Sequence, residues 1–346
     1  MFAYVYSFTS KMSVAFNFSA VLSLFLFALL VRSFPQNESG SMTNGTNATM
    51  LSSAELGIDS TFAVDVIMDT SSTFFQNHLF LYAIAVKAAA QFAVLAPGDK
   101  ADPVTLYYPD ISPFRLGFSG QEIGDPFDAV VATWGLYYMM QRFPTQTSIQ
   151  GCRVKLILYG HLVGWIVFTL DRPPAGIAET GDSVLKIKNS TGLVLSHRKV
   201  LETDMLGGTD QNYLFYTEYS FGGARVLIED FYILLAGALV NLASRDANSR
   251  FQAPILNFRG DAKIQVSEVS LRRREPFLLN RYAITTMSKA VDAALADREI
   301  GPYQEFEMSL WVQRPVRARD TELGKINIWT VNAPTDQMEG GSISIL

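Results

Sequence analysis

At 346 residues, 49% of them hydrophobic and only 18% charged, the chain can bury one large core or two small ones and is too apolar for a disordered protein. Formal charge is −5, and it falls to −7 once residues 1–32, with Lys11 and Arg32, are set aside. From Arg225 onward 15 basic residues stand against 15 acidic ones, so no half is the basic module that phosphate backbones require, and nucleic acid is excluded as a partner.

Residues 12–31 carry no charge between Lys11 and Arg32, and their densest apolar part is 21–31. A basic start, a short apolar stretch, and Val31 and Ser33 at the small-residue positions predict a signal peptide over 1–33, cleaved near Ser33. The alternative is a retained signal anchor, because 20 apolar residues can span a bilayer. Either reading takes the body out of the cytosol: secreted or extracellular if cleaved, a single-pass membrane protein with a lumenal or extracellular body if retained. The membrane is a partner only in the second case. Residues 34–58 form a polar linker whose three N-x-S/T sequons, at Asn37, Asn44 and Asn47, are expected to carry glycans, as is a fourth at Asn189. Cys152 is the only cysteine, so no intrachain disulfide can form and the thiol is expected to be buried.

The body begins with a strand over 61–68 and a helix over 80–95. That helix is apolar nearly all round, broken only by Lys87 and Gln91, which predicts a central core helix. Strands over 104–108 and 114–118 follow, separated by Pro109, Asp110 and Pro113. Asp125 and Pro126 supply an N-cap and a first helical residue for a helix to about residue 143. Two apolar runs, 152–159 and 162–170, pivot on Gly160 and His161 as a hairpin. The second half repeats the order: strand 213–221, helix 229–244, strands 253–258 and 262–269, helix 276–297, strands 303–312 and 324–331. Phe80-Leu81-Tyr82 faces Phe231-Tyr232-Ile233, Pro126-Phe127 faces Pro276-Phe277, and Leu158-Tyr159 faces Leu310-Trp311, at offsets of 151, 150 and 152.

The chain is therefore read as α+β, a tandem duplication of a β-α-β-β-α-β(β) unit in ferredoxin-like split βαβ order, with the further strand added at an edge. The units run over 59–171 and 212–332, joined by a connector or inserted hairpin over 172–211 with strand-like runs at 184–188 and 193–198, and followed by a flexible tail over 333–346. Trp134 and Met287 occupy equivalent helical places, and both are expected to be buried between helix and sheet. The phrase Trp134-Gly135-Leu136-Tyr137, followed by a hairpin ending Val163-Gly164-Trp165-Ile166, resembles uncharacterised secreted or membrane-associated hypothetical proteins of filamentous ascomycete fungi. The resemblance covers about a third of the chain. It implies a fungal secretory context and transfers no functional residue.

Chemistry is sparse. Only His78, His161 and His197 are present, and no H-E-x-x-H, C-x-x-C or nucleotide loop occurs, so no metal and no cofactor are expected. Gly117-Phe118-Ser119-Gly120 lacks the second glycine of a nucleophile elbow and is read as a strand ending in a turn. Carboxylate pairs need no histidine: Asp99, Asp102 and Asp110 share a loop, and Glu305 and Glu307 share a strand face. Trp134, Trp165, Trp311 and Trp329 are assigned to the core. Arg272, Arg273 and Arg274 precede the helix that Pro276 opens, where cations oppose the positive end of the helix dipole. They form a solvated loop balanced by Glu268 and Glu275, a processing site for a kexin-type protease, or a contact for an acidic partner. The leading function is a non-catalytic binding or interaction protein with a protein or glycan partner, its surface made by the unequal hairpin tips and the connector. The alternative is a carboxylate-based hydrolase, carbohydrate-active for example, with unidentified catalytic residues.

Overall fold

Along residues 262–268, Ala262, Ile264 and Val266 are buried while Lys263, Gln265 and Ser267 are half-buried, the period of two that lays one face of a sheet on a core. The computed structural model describes residues 56–68, 78–95, 97–108, 111, 114–122, 124–142, 151–170, 199–202, 214–269, 277–296, 304–313 and 320–331. The apolar N-terminal segment, Asn37, Asn44, Asn47 and Asn189, the run Arg272, Arg273 and Arg274, the strand-like runs 184–188 and 193–198, and the tail lie outside the described residues.

The first half consists of β1 (Ala63–Met68), α1 (His78–Ala93), β2 (Lys100–Ala101), β3 (Val104–Tyr107), β4 (Phe114–Ser119), β5 (Phe127–Asp128), α2 (Ala129–Arg142), β6 (Cys152–Leu158) and β7 (His161–Leu170). A short strand from the connector, β8 (Lys199–Glu202), precedes the second half: β9 (Leu214–Arg225), α3 (Ile228–Ala243), β10 (Ile255–Arg259), β11 (Ala262–Glu268), α4 (Asn280–Ala296), β12 (Gln304–Gln313) and β13 (Thr321–Thr330). The class is α+β. One sheet runs β1-β6-β7-β4-β3 and the other β10-β11-β13-β12-β9-β8, antiparallel throughout. With β2, β5 and β8 set aside, both sheets place the strands of their half in the order first, fourth, fifth, third, second. The last strand of each half, expected at an edge, lies in the middle: β7 between β6 and β4, β13 between β12 and β11.

The central strand of each sheet makes a close approach that only glycine permits. A Cβ on Gly164 would come within 2.9 Å of the Ser119 carbonyl oxygen, and one on Gly324 within 3.0 Å of the Ser267 oxygen. Each glycine pairs with a leucine, Leu156 or Leu310, and each leucine is followed by a register shift. The counterpart of Leu310 is thus Leu156, not Leu158 as the sequence offset places it.

The helices meet between the sheets in one core drawn from both halves. α2 lies on β6 and β7, α3 on β10 and β11, and α4 on β9, β12 and β13, whereas α1 packs chiefly on the other three helices. Its alanines Ala83, Ala85, Ala88, Ala89 and Ala93 are all at most 1% exposed, small side chains that let neighbouring helices approach. α1 and α3 are both 16 residues long, and Tyr82 and Tyr232, fifth in each helix and so one residue off the sequence offset that set Tyr82 against Ile233, stack across the junction with centroids 6.2 Å apart and planes at 11°. Lys87, the one cation in α1, reaches Asp292 of α4 at 2.6 Å, with 14% of its side chain exposed against 35% for Asp292.

Helix starts differ from expectation. α2 is capped by Asp128, whose Oδ1 accepts the backbone N–H of Val130 and Val131 at 2.9 and 3.1 Å, because Pro126 leads into β5 instead. α4 begins at Asn280, since Leu279 first bridges to Arg250 and Asn280 Nδ2 then ties to the Asp246 carbonyl and Ser249 Oγ, both at 2.9 Å. Met287 is fully buried, but Trp134 is half-buried and meets Phe62 edge-on at 5.4 Å.

Burial, partly offset by Asp292, holds the Lys87 ammonium below its ordinary pKa of 10.5. The unfolded chain therefore binds this proton more tightly, and stability rises with pH between the lowered folded value and 10.5. Lys87→Met should abolish that rise and leave stability at neutral pH unchanged or slightly higher, while Asp292→Asn should cost about 1–3 kcal/mol, less than for a sealed pair because Asp292 keeps solvent contact. Denaturant titrations at neutral and alkaline pH read both outcomes. Cys152 is fully buried at the start of β6, and burial pushes its thiol up to about 12. A thiol-specific reagent at mildly alkaline pH should label it only after denaturation; rapid labelling of the native protein would contradict the burial.

Candidate functional site

The outer face of the second sheet is the surface opposite the helices, built by every second residue of its strands. Across its middle, Leu256, Gln265, Asn327, Glu307 and Ser220 stand in register; the next row holds Ser267, Lys325, Ser309 and Glu218. At one end Trp311 is flanked by Glu322 and Tyr216, its ring stacked on Tyr216 at 6.4 Å and 10°. Tyr216 Oη donates to Asp320 Oδ2 at 2.6 Å; burial, then that bond, pushes the phenol pKa up. At the other end Lys263 sits 4.5 Å over the Trp329 ring, and the neighbouring edge strand β10 presents Phe258 and Leu256 at 39% and 48% exposure. Three of the four tryptophans, Trp165, Trp311 and Trp329, thus stand half-buried on outer sheet faces, not in the core the sequence assigned them.

The two strand carboxylates are separately committed. Glu305 Oε1 accepts from the backbone N–H and hydroxyl of Thr330, at 2.9 and 2.8 Å, and fills the place a Cβ on Gly223 would take; Gly223 has φ of +77° at the bulge of β9. Glu307 meets Lys325 Nζ at 3.2 Å, and Glu322 meets the same ammonium at 3.4 Å. Burial pulls the Lys325 pKa down, but Glu307 and Glu322 outweigh it and hold it above its usual value. The two carboxylates are therefore less than about 7 Å apart, a glycosidase-like separation. The ammonium occupies the space between them where a scissile bond would have to sit, so the arrangement is an ion-pair triad on an open face.

Elsewhere, Asp99 and Asp102 are exposed and Asp110 lies outside the described residues. Ser119 is 1% exposed at the end of β4, and its Oγ donates to the Glu122 carbonyl at 2.7 Å, closing the turn that follows. The β6–β7 turn is Tyr159-Gly160, both at positive φ (52° and 75°), one residue earlier than expected; His161 opens β7 and is exposed. Tyr159 Oη donates to Asp59 Oδ2 at 2.6 Å, which with Thr61 holds that carboxyl below its ordinary range. Among the described residues no three of His, Cys, Asp and Glu gather as metal ligands, and no helix is long and apolar enough to cross a membrane.

A second polar cluster sits where the halves meet. Arg259 Nε donates to Asp230 Oδ1 at 2.8 Å, with only 12% and 14% of the side chains exposed, and burial, opposed by Arg259, raises the Asp230 pKa. Tyr82 and Tyr137 lie in the same field: burial pushes the first well up and the second up to about 12. Sequence reading passed over Asp230, Arg259, Tyr216, Glu322 and Lys325. The alternation Glu322, Lys325, Asn327, Trp329 was the available signal for the outer face, blurred because the bulge at Gly324 breaks the period of two. No protein-family model, no curated protein and no solved structure matches this chain, so the surface stands on its own residues.

Proposed function

We propose that this is a secretory-pathway glycoprotein that works by binding, and that the outer face of its second sheet receives a partner protein. The observation that carries the reading is the corner where Phe258 and Leu256 stand exposed beside Trp329 and Lys263, aromatic and aliphatic groups of the kind that anchor protein contacts. Polar rows through Asn327, Glu307 and Lys325 supply the surrounding rim. The hydrolase alternative loses ground because the outer-face carboxylates Glu307 and Glu322 are bridged by Lys325. Arg272, Arg273 and Arg274 are kept as a processing site or an acidic contact on their sequence alone.

The body itself is proposed to be a tandem duplication of one split βαβ unit. Support comes from the shared strand order, from the glycine and register shift repeated at Gly164 and Gly324, and from the equal placement of Tyr82 and Tyr232. The fifth strand in the middle of each sheet is what departs from a simple ferredoxin-like arrangement.

Produced in a eukaryotic secretory host, the protein should shift on a gel after endoglycosidase treatment through Asn37, Asn44, Asn47 or Asn189; an unshifted band with the body in the cytosol ends the secretory reading. A partner crosslinked to the wild-type protein in its native culture should be lost from a Phe258→Asp, Trp329→Ala variant whose melting temperature is little changed. Equal capture by both would remove the second sheet as the binding face.

A further inference from the structure

The two sheets differ at one edge. In the second sheet β9 is not the last strand, because β8 pairs antiparallel with it, Lys199 opposite Tyr219 and Leu201 opposite Thr217. Its counterpart in the first sheet is β1, since Val64 pairs with Leu156 as Thr217 pairs with Leu310, and Val66 with Val154 as Tyr219 with Met308. Among the described residues no strand lies on the far side of β1. The consequence shows in burial. Thr217 and Tyr219, which point to the core beneath β8, are 0% and 3% exposed, whereas Val64 and Val66, in the matching places and packed on the same core, remain half-buried.

The geometry points to strand addition at β1 by a second copy of this chain, β1 against β1, joining two five-stranded sheets across a two-fold axis. This rests on the equivalence of the halves and is independent of the partner face, which lies on the other sheet. β1 reads Ala-Val-Asp-Val-Ile-Met, with high strand propensity and with none of the lysine, proline or bulge that blunts an exposed edge. It is also self-complementary. An antiparallel register centred on Val66 sets Val66 against its own copy on the core side, and Asp65 beside Ile67 of the other chain on the outer face, so that no like charges oppose. Asp65 already has Lys155 of its own chain at 3.4 Å, which removes much of the cost of bringing two such edges together. A register centred on Asp65 would set carboxylate against carboxylate and is disfavoured.

Sedimentation of the full protein from micromolar to sub-millimolar concentration should show a monomer–dimer equilibrium. Ile67 faces outward opposite Arg153, so an acidic side chain there meets a cation in its own sheet and the fold is kept. Ile67→Asp sets carboxylates against Asp65 of the partner copy at two symmetric places and should raise the dimer Kd about tenfold or more, while Ile67→Lys should lower it at low salt. Should either variant misfold, hydrogen exchange on the wild type decides: the β1 amides should be protected at high concentration and lose protection on dilution, with β6 unchanged. A protein that stays monomeric throughout, an Ile67→Asp variant that dimerises as the wild type does, or β1 exchange independent of concentration would each overturn the proposal.

Discussion

A helix that is apolar on every side cannot lie on a surface, and the architecture follows from giving α1 somewhere to be. From Leu81 to Ala90 only Lys87 departs from full burial, so α1 cannot rest on one sheet with its back to water as α2 and α4 do. It is enclosed instead by the helices of both halves, and the two sheets close over the set from opposite sides. Each half supplies what the other lacks: the first brings the helix, the second brings α3 and α4 to cover it. The Lys87–Asp292 contact belongs to this constraint, because a cation held among alanines needs an anion within reach.

The same requirement gives meaning to the polar groups at the junction. Arg259 at the end of β10 and Asp230 in the first turn of α3 satisfy each other, and Tyr82 stacks on Tyr232 where the two equivalent helices meet. Removing one partner of such a buried pair is costly, because it leaves the other polar group buried and unsatisfied. Gly237 stands at the same junction, where a Cβ would come 3.2 Å from Asn257 Nδ2 and 3.3 Å from the Tyr137 ring.

Elements with a clean period were legible in the sequence. The strand over 262–268 and the helix over 229–244 are found within a residue of expectation because burial alone dictates them. Ends set by tertiary partners were not. Pro126 and Pro276 carry the marks of a helix start in sequence, yet Phe127 and Asp128 are taken first by the pairing of β5 with β2, and Leu279 by its bridge to Arg250. Strand order was hidden for a similar reason: nothing local tells β7 to insert between β6 and β4, and only the closeness of Gly164 to Ser119 records it. The tryptophans misled because their helix and hairpin positions suit a core, whereas Trp311 and Trp329 sit on polar strand faces beside tyrosine and lysine. The outer-face rows depended on that placement, and so the candidate surface could not be drawn from sequence alone.

The enclosure of α1 also has a cost in time. Roughly 200 residues separate the end of α1 from the end of α4, and a ribosome adding about 5–20 residues per second needs on the order of 10–40 seconds to deliver them. For that interval α1 is out of the ribosome with its final neighbours α3 and α4 still unmade. The first sheet cannot shelter it, because α1 has little contact with that sheet and β1 must itself wait for β6, some 90 residues downstream. Until the second half arrives, α1 therefore lacks the α3 and α4 surfaces that cover it in the finished fold.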